Sequence, residues 1–118
     1  MFVYVMEDLS QTGVSKIGVS NNPERRETEV GYVKTKARYE MADRYIANLI
    51  ESMAQALAIR KYGRAWNRKG DGYTEFFNCT WRQAMGFILR AYQLFQKLGY
   101  AGLRSYRRKF CRVNHIHI

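Results

Sequence analysis

Four side chains in the first half of the chain have types suited to cleaving a phosphate ester: Tyr4, Lys16, Arg26 and Glu51. A phosphodiester resists attack because its phosphorus is shielded by anionic oxygens. Cleavage therefore needs an activated water, a cationic clamp and help for the departing oxygen. Tyr4 or Lys16 can orient or deprotonate water once its pKa falls towards neutrality, and an ammonium beside a phenol favours the phenolate. Arg26 carries the planar fork that grips two phosphate oxygens at once. Glu51 offers a hard oxygen ligand, and magnesium typically takes one or two protein carboxylates plus water and phosphate. Glu75, set among aromatics in TEFF, is either a second carboxylate at such an ion or a structural anchor.

Each residue also has a plain role open to it. Tyr4 can be a core tyrosine, Lys16 a solvated lysine on a strand, and Arg26 an ion-pair partner of Glu27 or another carboxylate. Glu51 stands three residues after Asn48, where a helix-capping glutamate is common. The chemistry depends on whether the elements bring these groups together.

Phe2 to Met6 is an unbroken run of β-formers, the pattern of a strand buried on both faces. Glu7 to Gly13 is a polar loop, and Val14 to Ser20 alternates, with Ile17 and Val19 on one face and Lys16, Gly18 and Ser20 on the other. A loop this short predicts an antiparallel hairpin. Asn22-Pro23 opens a helix that closes at Gly31. Within it Arg25 has Glu29 at the spacing of a surface ion pair, whereas Arg26 lies towards the sheet. Arg38 to Ile46 reads as a third strand and Asn48 as the cap of a helix running to about Tyr62. Gly63 to Gly72 reads as a basic loop, followed by a short extended piece from Tyr73 to Phe77. Thr80 and Gln83 form a capping box for a helix that ends near Gly99. His115 and His117 alternate with isoleucines and suggest a final strand; with Cys79 and Cys111 they do not make a common zinc pattern.

Val3-Tyr4-Val5, then Lys16-Ile17-Gly18, then an arginine eight residues beyond that glycine, then Glu51 in LIESMAQAL, resemble the GIY-YIG nuclease domain. Lys-Ile-Gly followed by SNNPERR is similar to a phage- and bacteria-associated branch, and TEFF at 74–77 resembles the phrase that closes the domain there. The resemblance covers roughly residues 2–78. It implies a small α/β domain of α+β type: a three-stranded antiparallel sheet flanked by helices, here followed by a C-terminal helix and basic tail. It also implies hydrolysis of DNA with one divalent ion, Mg2+ or Mn2+, held by Glu51, with Tyr4, Lys16 and Arg26 completing the site. The chain departs from the family at Val3, where a glycine is usual, and at Lys16, where a tyrosine is usual. The late asparagine is matched loosely, by Asn78.

The length of 118 residues suits one core, read as a nuclease-like unit at 1–79 with residues 80–118 packed on it. The net charge is +10 and unevenly placed: residues 76–118 hold eight Lys+Arg and no acid. That favours a polyanionic partner, DNA above all. Arg64, Arg68 and Lys69 in the loop, and Arg104, Arg107, Arg108, Lys109 and Arg112 in the tail, are the phosphate-contact candidates. No apolar run is long enough for a membrane span, and the N-terminus lacks the pattern of a secretory signal, so a cytoplasmic setting is expected, that of a host if the gene is phage-borne. Two other readings remain: a catalytically inactive nucleic-acid-binding module on the same fold, and a small phage-type effector that binds a host protein.

Overall fold

The computed structural model describes residues 1–65 and 75–117. The chain runs β1 (Phe2–Asp8), β2 (Ser15–Ser20), α1 (Pro23–Val30), β3 (Val33–Glu40), α2 (Arg44–Tyr62), β4 (Phe76–Phe77) and α3 (Trp81–Val113). It is an α+β fold, a sheet in the order β3-β1-β2-β4 with antiparallel neighbours, flanked by three helices. The sheet thus has a fourth, two-residue strand beyond the three expected. No described helix is long and apolar enough to cross a membrane.

β1 is central, which is why its run of β-formers is apolar on both faces. Val3 and Val5, with Ile17 of β2, join the main core beneath α2 and α3. Tyr4 and Met6 face the other way, into a smaller core with Val14, Val33 and Phe76. The hairpin register sets Tyr4 opposite Gly18 and Met6 opposite Lys16, so these four share one face.

The outer edge of β2 fixes the place of α2. β4 pairs only with Ser15 and Lys16, leaving the next backbone groups of β2 uncovered. A buried carbonyl left without a donor is costly. Gln55 of α2 supplies one, its amide donating to the Ile17 carbonyl at 2.8 Å. That bond holds α2 against β2, and Glu51, one turn before Gln55, is carried to the end of the sheet where β4 begins.

Three expected boundaries are corrected. The third strand is Val33–Glu40 and not 38–46. Lys34, Lys36, Arg38 and Glu40 alternate outward on this edge strand, and its inner face is too weakly apolar to announce itself. Asp43, not Asn48, caps α2: its carboxylate accepts from the Ile46 amide at 2.9 Å. Glu51 therefore lies well inside the helix, and a capping role for it is removed. The C-terminal strand does not form either. α3 breaks at Gly99 (φ 74°, ψ 179°) and resumes to Val113. His115 then takes a left-handed conformation (φ 56°). The Ile116 amide reaches back to the Cys111 carbonyl at 2.8 Å and the His115 amide to Arg112 at 3.4 Å. This paired arrangement is a Schellman stop, and it buries Ile116 while leaving His115 and His117 exposed.

Asp43→Ala should lower stability by about 1 kcal/mol, whereas Asn48→Ala, inside the helix, should leave it unchanged or slightly raised. Urea unfolding of the two variants distinguishes the two start points for α2.

Candidate active site

Lys16 is the anomaly from which the site grows. A lysine on an alternating strand is ordinarily solvated, yet this one is 0% exposed. A buried ammonium without a partner costs several kcal/mol. Glu75, at the entrance to β4, forms an ion pair with its Nζ. The same Nζ lies 5.1 Å from the centroid of the Tyr4 ring.

Gly18 makes this juxtaposition possible. A Cβ at position 18 would fall 2.8 Å from Lys16 Nζ and still closer to the Tyr4 hydroxyl. Both side chains are fully buried, so neither tip can move aside without disturbing its partners. The glycine is required for the room it leaves, since its backbone is ordinary strand.

α1 brings Arg26. Asn22 caps the helix by accepting from the Arg25 amide at 3.2 Å, with Pro23 in the first turn. Arg25 pairs with Glu29 at 3.3 Å, and Arg26 donates to Glu29 at 3.0 Å. Burial works against the Arg26 guanidinium, but hydrogen bonds with Glu29 and with the Tyr4 hydroxyl outweigh it and raise its pKa. Glu27 is otherwise engaged, accepting from the Thr35 amide and hydroxyl.

α2 brings Glu51. Burial, then repulsion from Glu75, push its carboxyl up to about 8; Lys16 opposes the rise, and a hydrogen bond with Glu75 reinforces it. Near neutral pH Glu51 therefore keeps its proton, because burial first and the Glu75 charge beside it second disfavour its ionised form. Among the described residues no three His, Cys, Asp or Glu side chains gather into a larger metal-binding group.

Arg26, Glu51 and Glu75 share the wall of a cavity of about 570 Å³, together with Arg25, Arg44 and Asn48. Tyr4 and Lys16 are not on that wall. They stand one contact behind it, Tyr4 through Arg26 and Lys16 through Glu75. A second cavity of about 430 Å³ lies on the other side of Glu51, lined by Tyr45, Tyr100, Arg104, Arg107 and Arg108. The other expected residues lie elsewhere. Arg64 donates to the His117 carbonyl at 3.0 Å, and Asn78 donates to the Arg64 carbonyl at 3.0 Å, both beside β4. Lys109 and Arg112 are exposed on α3, on neither wall. Arg68 and Lys69 lie outside the described residues. Arg44 and Asn48 were not among the expected site residues. Once Asp43 is taken as the cap, Arg44, Asn48, Glu51 and Gln55 fall on one helical face, and that spacing is the signal.

The family model for the T5orf172 domain matches residues 1–91, from β1 into the first part of α3, and the chain belongs to that family. It is a phage-associated domain found in nuclease contexts. No curated protein and no solved structure matches the chain.

Gly18→Ala should cost about 1–3 kcal/mol by overpacking and displace Tyr4 and Lys16 together, which thermal melting and the tyrosine near-ultraviolet circular dichroism would report. A pH effect also follows. A carboxyl that keeps its proton up to about 8 in the folded chain releases it near the ordinary 4.5 when unfolded. Its contribution to stability is therefore fully present below the unfolded pKa and is lost as pH rises through the folded one. With chelator present, the wild-type melting temperature should fall between pH 5 and pH 8 more steeply than that of Glu51→Gln.

Proposed function

We propose that this T5orf172-domain protein is a divalent-cation-dependent DNA endonuclease of GIY-YIG type, hydrolysing or nicking a phosphodiester in the cavity walled by Arg26, Glu51 and Glu75. The observation that carries the reading is the Glu51–Glu75 pair. Glu51, which burial and the Glu75 charge beside it keep protonated near neutrality, forms with Glu75 a donor set suited to a hard cation in place of that proton. Glu51, with Glu75 beside it, would hold Mg2+ or Mn2+, which supplies charge neutralisation at the phosphate and at the leaving oxygen.

The chain's own residues supply the rest. Arg26, with its guanidinium held between Glu29 and Tyr4, is the fork for two phosphate oxygens. Arg25 and Arg44 on the same wall draw the backbone in and fix its path. The Tyr4 hydroxyl and the Lys16 ammonium stand behind Arg26 and Glu75, and in this reading they hold that clamp and that carboxylate in position around the attacking water. Lys16 stands where the GIY-YIG family usually has a second tyrosine.

One observation favours a second reading, a DNA-binding module without hydrolysis: Tyr4 and Lys16 are both fully buried. Supercoiled plasmid incubated with Mg2+ separates the two. The hydrolase reading expects conversion to nicked or linear forms, reduced about 100-fold or more by Glu51→Ala and by Arg26→Ala. Retention of plasmid by the wild type with no cutting in Mg2+ or Mn2+ would leave the binding module.

A further inference from the structure

We propose that the groove between the start of α2 and the second part of α3 holds an unpaired nucleotide beside the scissile phosphate, so that DNA with a single-stranded stretch or end is preferred over uninterrupted duplex. The inference rests on the hydrolase reading for what lies next door. The binding itself requires no turnover.

The groove is the cavity of about 430 Å³ that shares Glu51 with the candidate active site. That volume is within the range of pockets for small organic ligands. Its walls pair two kinds of group. Arg104, Arg107 and Arg108 line it from α3, and Tyr45 from α2 and Tyr100 from α3 line it as well. Positions 100, 104, 107 and 108 repeat at helical spacing, so the second part of α3 presents them as one stripe. The rings are not core residues: Tyr45 is 72% exposed and Tyr100 is 39% exposed. Arg104 lies over Tyr100, its guanidinium carbon 6.0 Å from the ring centroid, near the outer limit of a cation–π contact. Among the described residues Glu51 is the one acid on these walls, and the chain from 76 to 118 contains none.

Arginines and exposed rings serve different parts of a nucleotide. The guanidinium groups take the phosphates, and the tyrosines offer faces on which a base stacks whatever its sequence. In intact duplex the base faces are already stacked on one another, so a duplex could engage the arginines and leave both rings idle. An acidic peptide would do the same. A nucleotide out of the duplex uses both the arginines and the rings, and its own phosphate then lies next to Glu51.

The test is fluorescence anisotropy of full-length protein in chelator, so that nothing is cut. It uses a blunt duplex, the same duplex with a single-stranded overhang, and the overhang strand alone. The overhang duplex should bind about 10-fold tighter than the blunt one. Tyr45→Ala or Tyr100→Ala should weaken overhang binding about 5-fold or more, should change blunt-duplex binding less than about 2-fold, and should be rescued by Tyr45→Phe or Tyr100→Phe. Equal affinity for blunt and overhang DNA, or equal losses on both in the alanine variants, would overturn the proposal. So would competition by polyglutamate as effective as that by the overhang strand. Discrimination in chelator with no cutting in Mg2+ would uphold this groove and defeat the hydrolase reading; cutting without discrimination would do the reverse.

Discussion

A fully buried ammonium on the second strand is the constraint from which the rest follows. Lys16 has no access to water, so its charge must be met inside the fold. Glu75 meets it at the entrance to β4, beside the edge of β2. Gly18 leaves the space in which the Lys16 amine and the Tyr4 hydroxyl come together. Glu51, buried and with the Glu75 carboxylate as its neighbour, keeps its proton far above the ordinary range. Strand edge, glycine and carboxyl pair are consequences of one buried charge.

The helices then divide the work. α1 delivers Arg26 over the Tyr4 hydroxyl from above the hairpin. α2, tied to the uncovered Ile17 carbonyl through Gln55, delivers Glu51 to the same place one turn earlier. α3 turns at Gly99 and lines a second groove from which Glu51 is also reached. Glu51 and Asn48 are thus common to two cavities and form the wall between them. Tyr4 and Lys16 sit behind the cavity surface, where they set the orientation of Arg26 and Glu75 and are shielded from bulk water.

The parts legible in the sequence were those governed by local rules. The hairpin followed from alternation in Val14 to Ser20, and α1 from Asn22-Pro23; Thr80 and Gln83 marked the start of α3 with a reciprocal cap. Where two local rules competed, reading failed. Asp43 and Asn48 are equally good caps, and Arg44-Tyr45-Ile46 between them looks like strand until the helix claims it; Tyr45 proved an exposed helical residue. The edge strand Val33–Glu40 hides because its inward positions are Val, Thr, Ala and Tyr, only two of them bulky and apolar. Burial of Lys16 was not legible at all. It depends on a partner fifty-nine residues away, and nothing in Ser-Lys-Ile-Gly signals that the polar face will be covered.

On the proposed reading, the Glu51–Glu75 pair takes a divalent cation in place of the proton that Glu51 keeps. Crystals soaked in manganese and measured for anomalous scattering test it most directly. One manganese peak bonded to the Glu51 carboxylate, with Glu75 at or beside it, is the expected result. Crystals that diffract well and show no peak there, or carry manganese only at some other acidic group, would contradict it.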